Sequence, residues 1–130
     1  MSLLFASLLV LQAGSPAPAP QVSPEVSDQA LVIGERLKTW KGGLYKKDGQ
    51  LTCRIEKSTG DPEIDAIRCG ALLRCFGPNA EKMDAIAGSD LPREDRNRRM
   101  QELAQATKPC LEGAHKAGTM FLAEKRARLP

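Results

Sequence analysis

Four cysteines, at positions 53, 69, 75 and 110, constrain this chain more than any other feature. Their separations of 16, 6 and 35 residues include no Cys-x-x-Cys pair, and a single histidine is too few for the usual nitrogen ligation of zinc. The pattern reads as two disulfides, with no metal and no cofactor. Aromatic residues make up 4% of the chain, so the core is small and aliphatic and such bridges matter more for its stability.

Three of the cysteines fall in one stretch, "LTCRIEKSTGDPEIDAIRCGALLRC", from Leu51 to Cys75. It opens with alternation: Leu51, Cys53 and Ile55 share one face of a strand and Thr52, Arg54 and Glu56 the other, which turns Cys53 inward. Asp48-Gly49, just upstream, is a hairpin-turn dipeptide and pairs this strand with the preceding segment "KGGLYKK". After the turn "STGD", Asp61 is placed as a helix N-cap and Pro62 at the first helical position. Ile64, Ile67, Ala71 and Leu72 then form an apolar stripe widened by Cys69, Leu73 and Phe76, and Gly77-Pro78 stops the helix.

This geometry orders the cysteine pairing. Cys69 and Cys75 lie roughly 120° apart around the helix and about 9 Å along it. A disulfide requires Cα atoms within about 7 Å, so they cannot bond to each other. Cys53 lies roughly 13 Å back from the turn along its strand. In a helix running back beside that strand, Cys69 is about 11 Å and Cys75 about 20 Å from the helix start. The expected bridges are therefore Cys53–Cys69 and Cys75–Cys110, each contributing about 3 to 4 kcal/mol by the chain-entropy argument.

Helices flank the hairpin unit. Ser23 caps, Pro24 starts and Glu25 suits the dipole of a helix expected over Pro24 to Lys38, with Val26, Ala30, Ile33 and Leu37 on one face. Downstream, "NAEKMDAIAGSD" is a short helix or turn. "LPREDRNRRMQELAQATK" is a charged helix ended by Pro109, and "PCLEGAHKAGTMFLAEKRAR" is a last helix weakened by Gly113 and Gly118. The fold class is α+β: a short two-stranded hairpin flanked by helices, disulfide-stapled, with a helical carboxy-terminal half.

The start of the chain reads differently. Leu3 to Leu11 is an apolar run of about nine residues, whereas a membrane span needs about 20. Small residues and the "SPAPAP" repeat follow it, as in a secretory signal, although no Lys or Arg precedes Leu3. Cleavage fits after Ala13, Ala17 or Ala19, best after one of the last two. The expected organisation is a signal peptide over residues 1–19, a linker over 20–24 and one small domain over 25–130. The mature chain then has no membrane span and is periplasmic or secreted.

A formal charge of +3 with acids and bases interspersed does not mark a nucleic-acid binder. In "REDRNRR", Arg93, Arg96, Arg98 and Arg99 read as a solvated face with Glu94–Arg98 and Asp95–Arg99 pairs four residues apart. The closing "EKRARLP" is a more open positive cluster. Trp40, Tyr45 and Phe121 read as core residues, with the lining of a binding groove as the alternative. Asp61, Glu63 and Asp65 alternate as a calcium loop begins, but its glycine and terminal glutamate are missing, so helix capping accounts for them. Cys110 and His115 are the one pair from which a thiol-dependent hydrolase or redox protein can be assembled, and it requires an unpaired thiol.

Residues 49–80, "GQLTCRIEKSTGDPEIDAIRCGALLRCFGPNA", resemble the strand, turn and helix of the TonB carboxy-terminal domain family. The matching positions are Ser58, Thr59 and Gly60 of the turn, Ile64 and Asp65 of the helix, and Phe76, Pro78 and Ala80 at its exit; Asp61 caps the helix between them. The resemblance spans 32 residues. It lacks the family's upstream Tyr-Pro strand motif and has a charged helical region where a final strand is expected. It implies a periplasmic α+β module that recruits an extended partner by strand addition; with the signal-like start and the even cysteine count, the expected role is a non-enzymatic domain of the Gram-negative envelope that binds another envelope protein. A purely structural envelope role is the bland form of the same expectation.

Overall fold

The computed structural model describes residues 22–129 together with Gly14. Apart from Gly14, the expected signal segment lies outside the described residues, as does the start of the linker. The elements are helix α1 (Pro24–Leu37), strands β1 (Lys41–Lys47) and β2 (Gln50–Lys57), and helices α2 (Pro62–Phe76), α3 (Ala80–Ala87) and α4 (Arg93–Ala127). A single 3-10 turn, Gly77–Asn79, links α2 to α3. The mixed α+β class read from the sequence is the one observed.

Helix α1 starts as its residues dictate: the Ser23 hydroxyl accepts from the Val26 N–H and Pro24 occupies the first turn. Its apolar face brings Ile33 and Leu37 against Ile64 of α2 and Leu122 and Ala123 of α4, with Val26, Ala30 and Ile67 packed around them. Ile33 and Ile64 are fully buried. The core is thus a three-helix seam along the second half of α4, and the hairpin is attached to it through α2. Gly118 belongs to this seam, because a Cβ there would stand 3.1 Å from Ile67 Cγ2. Its cost in helix propensity is offset by the close approach of α2 and α4.

The hairpin closes through Asp48 (φ 51°) and Gly49 (φ 78°), the two left-handed residues of a type I′ turn. Lys47 pairs with Gln50 and the antiparallel register continues to Gly42 and Ile55, with an irregularity between Lys41 and Gly42. A side chain at Gly42 would meet the Arg54 carbonyl oxygen and stand 2.6 Å from the Trp40 ring. Trp40 therefore lies across this end of the hairpin, partly buried.

Several expectations are corrected. Pro109 does not end a helix: α4 runs unbroken for 35 residues with Pro109 inside it. Proline removes one N–H and crowds the carbonyl four residues back, at a cost of about 3 kcal/mol. Here the Cys75–Cys110 bridge clamps the next residue to α2, and Thr107, buried two residues before the proline, donates its hydroxyl to the Leu103 carbonyl. Ile55 is 44% exposed rather than inward, since Gly42 opposite offers no side chain to cover it. Leu73, Tyr45 and Phe121 also stand exposed, Phe121 at 69%. Arg98 pairs with Asp95 and Glu102, not Glu94. In the closing cluster, Lys125 and Arg126 are held in ion pairs with α2.

Candidate functional site

The turn between β2 and α2 is built on Asp65, a buried carboxylate. It accepts from the Ser58 hydroxyl, from the Thr59 N–H at 2.8 Å and from the Thr59 hydroxyl at 2.7 Å. Gly60 turns the chain with φ 82°, and its N–H donates to the Ser58 hydroxyl. Burial alone would raise the Asp65 pKa, but the bonds from Ser58 and Thr59 outweigh it and hold the carboxyl below its ordinary value. An acid one helical turn into α2 thus fastens the strand exit to the helix.

Asp61 has a second role beyond capping. One oxygen accepts from the Glu63 and Ile64 N–H groups, as an N-cap does. The other takes Arg126 Nη2 at 2.7 Å and faces Arg36 at 3.9 Å, so one carboxylate ties α1, α2 and the end of α4 together. Against the opposing effect of burial, the Arg126 and N-cap bonds hold Asp61 below its usual range, and the Lys125 hydrogen bond does the same for the exposed Glu63. These carboxylates are spent on structure. Among the described residues no cluster of His, Cys, Asp and Glu is placed to hold a metal ion.

The disulfides join Cys53 to Cys69 and Cys75 to Cys110, with Cα separations of 5.6 and 5.8 Å. No cysteine is free. Cys110 therefore carries no thiol in this state, and His115, five residues on, is turned by about 140° around the same helix. His115 instead faces Arg68, whose Nη1 lies 3.3 Å from Nε2 and 3.5 Å from Nδ1. Burial, then the Arg68 charge, pushes the imidazole below its ordinary pKa. Arg68 also lies over Trp40, 6.0 Å from the ring centroid, and buried Arg68 Nε and Trp40 Nε1 find no hydrogen-bond partner among the described residues.

A second feature is a groove whose walls were not evident in the sequence, although Tyr45 was among the candidate groove residues. This groove, of about 180 Å³, is lined by Leu44, Tyr45 and Lys46 of β1, Leu51 of β2, Met83 and Ala87 of α3 and Met100 of α4. Leu44, Lys46 and Leu51 share one face of the hairpin, so the groove lies between that face and helices α3 and α4, on the β1 side. The Lys46 ammonium reaches Asp84 of α3 across it. Nothing local in "KGGLYKK" signals a partner 38 residues away.

Among the described residues no further strand pairs with either edge of the hairpin. The closing pair of a two-residue hairpin exchanges hydrogen bonds, so by alternation Lys46–Leu51, Leu44–Cys53 and Gly42–Ile55 do not. Their N–H and C=O groups point away from the sheet, and those of Leu44 and Lys46 take no other backbone partner among the described residues.

In comparisons with protein-family models, curated proteins and solved structures, nothing matches this chain. Among the described residues no helix is long and apolar enough to cross a membrane.

Proposed function

We propose that this chain is a non-enzymatic protein-binding domain of the Gram-negative periplasm, engaging another envelope protein through its hairpin. The observation that carries the reading is a two-stranded sheet whose edges pair with no further strand among the described residues, fixed to the helical core by a disulfide and a buried carboxylate. An isolated hairpin is only marginally stable in water, and open edges are a liability that proteins usually cover. Here the Cys53–Cys69 bridge and the Asp65 hydrogen bonds fasten the hairpin to α2, and a hairpin held in place on a scaffold is an arrangement that strand addition can use.

Two disulfides favour an oxidising compartment, in keeping with the signal-like start. The resemblance of residues 49–80 to the TonB carboxy-terminal domain family supports the same role. Its matched positions Ser58, Thr59 and Gly60 form the turn, and Asp65 of α2 accepts from Ser58 and Thr59 there. That every cysteine is paired weakens the thiol-dependent alternative built on Cys110 and His115.

The test is site-specific photo-crosslinking in the native envelope. A benzoylphenylalanine at Tyr45, on the hairpin, is expected to give a discrete adduct identifiable by mass spectrometry. The same probe at Gln101, on the exposed side of α4, is expected to give none. Equal labelling at both positions, or none at Tyr45, removes the basis for the reading.

A further inference from the structure

Resting on that reading, we infer that the β1 edge, with the groove beside α3, binds an extended acidic segment that alternates carboxylate and apolar side chains. The exposed N–H and C=O groups of Leu44 and Lys46 select a backbone in β conformation, because only a strand presents donors and acceptors at matching intervals. The groove lined by Leu44, Leu51, Met83 and Met100 takes an apolar side chain from that strand, and methionines adapt to its shape.

Charge fixes the remaining chemistry. The hairpin from Lys41 to Lys57 carries five cationic side chains against Asp48 and Glu56, a formal +3 equal to that of the whole chain. Three of the cations, Lys41, Lys46 and Lys47, lie on β1. Lys46 is paired with Asp84, whereas Lys41 and Lys47 have no ion-pair partner among the described residues. A second copy of β1 laid along this edge would set lysines against lysines, which is how proteins discourage edge-to-edge pairing. An acidic strand meets no such repulsion.

The experiment follows backbone amides of the labelled protein, both bridges intact, by NMR. One titration uses a synthetic octapeptide alternating glutamate with valine and leucine, and another uses its lysine counterpart. The acidic peptide is expected to shift the amides of Gly42, Leu44 and Lys46 saturably and slow their hydrogen exchange, while the lysine peptide shifts none of them. Charge reversal at exposed positions, Lys41→Glu with Lys47→Glu, should weaken binding roughly tenfold. Ala87→Phe, which fills the groove from an exposed position on α3, should abolish it.

Equal binding of both peptides overturns the inference, as does displacement of the acidic peptide by phosphatidylglycerol vesicles, which would mark the edge as a membrane contact. Shifts confined to Leu51, Cys53 and Ile55 overturn it too, but leave protein binding through the hairpin standing. Absence of any shift with either peptide overturns the acidic-strand inference alone, and the cross-linking at Tyr45 then decides the broader reading.

Discussion

Replacing Pro109 with alanine should make this protein more stable. Pro109 lies seventeen residues into α4 and is exposed, so the substitution removes no buried packing. Alanine restores the N–H that the Gln105 carbonyl lacks and relieves the ring's crowding of that carbonyl, a gain of about 3 kcal/mol on helix-propensity scales. Proline's restriction of the unfolded chain gives back about 0.4–1 kcal/mol. The net expectation is stabilisation of about 2 kcal/mol, or about 8 °C in Tm at roughly 4 °C per kcal/mol for a domain of this size. Urea denaturation of the oxidised protein, read by circular dichroism, measures it, with an unchanged m-value showing that the denatured state is not altered. A midpoint that stays put or falls would refute the reasoning, because it would mean that α4 is not strained at Pro109 and that the bridge to Cys110 is not what carries the helix through.

Other outcomes follow from the bridges and the turn. Cys53→Ser with Cys69→Ser should cost about 3 kcal/mol and Cys75→Ser with Cys110→Ser about 4, because the second closes the longer loop; the reverse order in denaturant titrations would argue against a chain-entropy origin. Asp65→Asn keeps the shape but loses one acceptor oxygen and the charge, so stability should fall by about 2 kcal/mol and the Thr59 amide should exchange faster. Stability should also fall in two stages as pH drops. His115 is held below its ordinary value of 6.5, so the fold favours the neutral ring and stability declines as pH falls from about that value. His115→Gln should flatten that limb. Asp61 and Asp65 are depressed below 3.8, so their contribution persists above that pH and is lost as pH falls further, through their folded-state values.

The parts of the fold written in neighbouring residues were legible beforehand. Asp48-Gly49, the Ser23 and Asp61 caps and the Ile64–Ile67–Ala71 stripe each act within one or two turns of chain, and they placed the hairpin and α2 closely enough for spacing to pair the cysteines. What escaped depends on distant partners. Arg126 meets Asp61 across 65 positions and Lys46 meets Asp84 across 38, with nothing in either segment to announce the other. Pro109 read as a stop because its propensity is local, while the bridge and packing that override it are tertiary. Ile55 and Leu73 have the right periodicity but lack a covering element, since alternation shows which residues share a face and not whether anything lies against it. The groove beside β1 was hidden for the same reason: its walls come from four separate elements.

Both bridges land on α2, at Cys69 and Cys75, with five residues of helix between them. A mechanical load applied at the hairpin therefore has a covalent route: along β2 to Cys53, across to Cys69, down less than two turns of α2 to Cys75, and across again to Cys110 in the middle of α4. Tension on that route bypasses the small aliphatic seam of Ile33, Leu37, Ile64 and Leu122. Pulled at the hairpin, the oxidised molecule should behave as a tether with a short compliant section, and a reducing agent should turn it into one that unravels from the strand end.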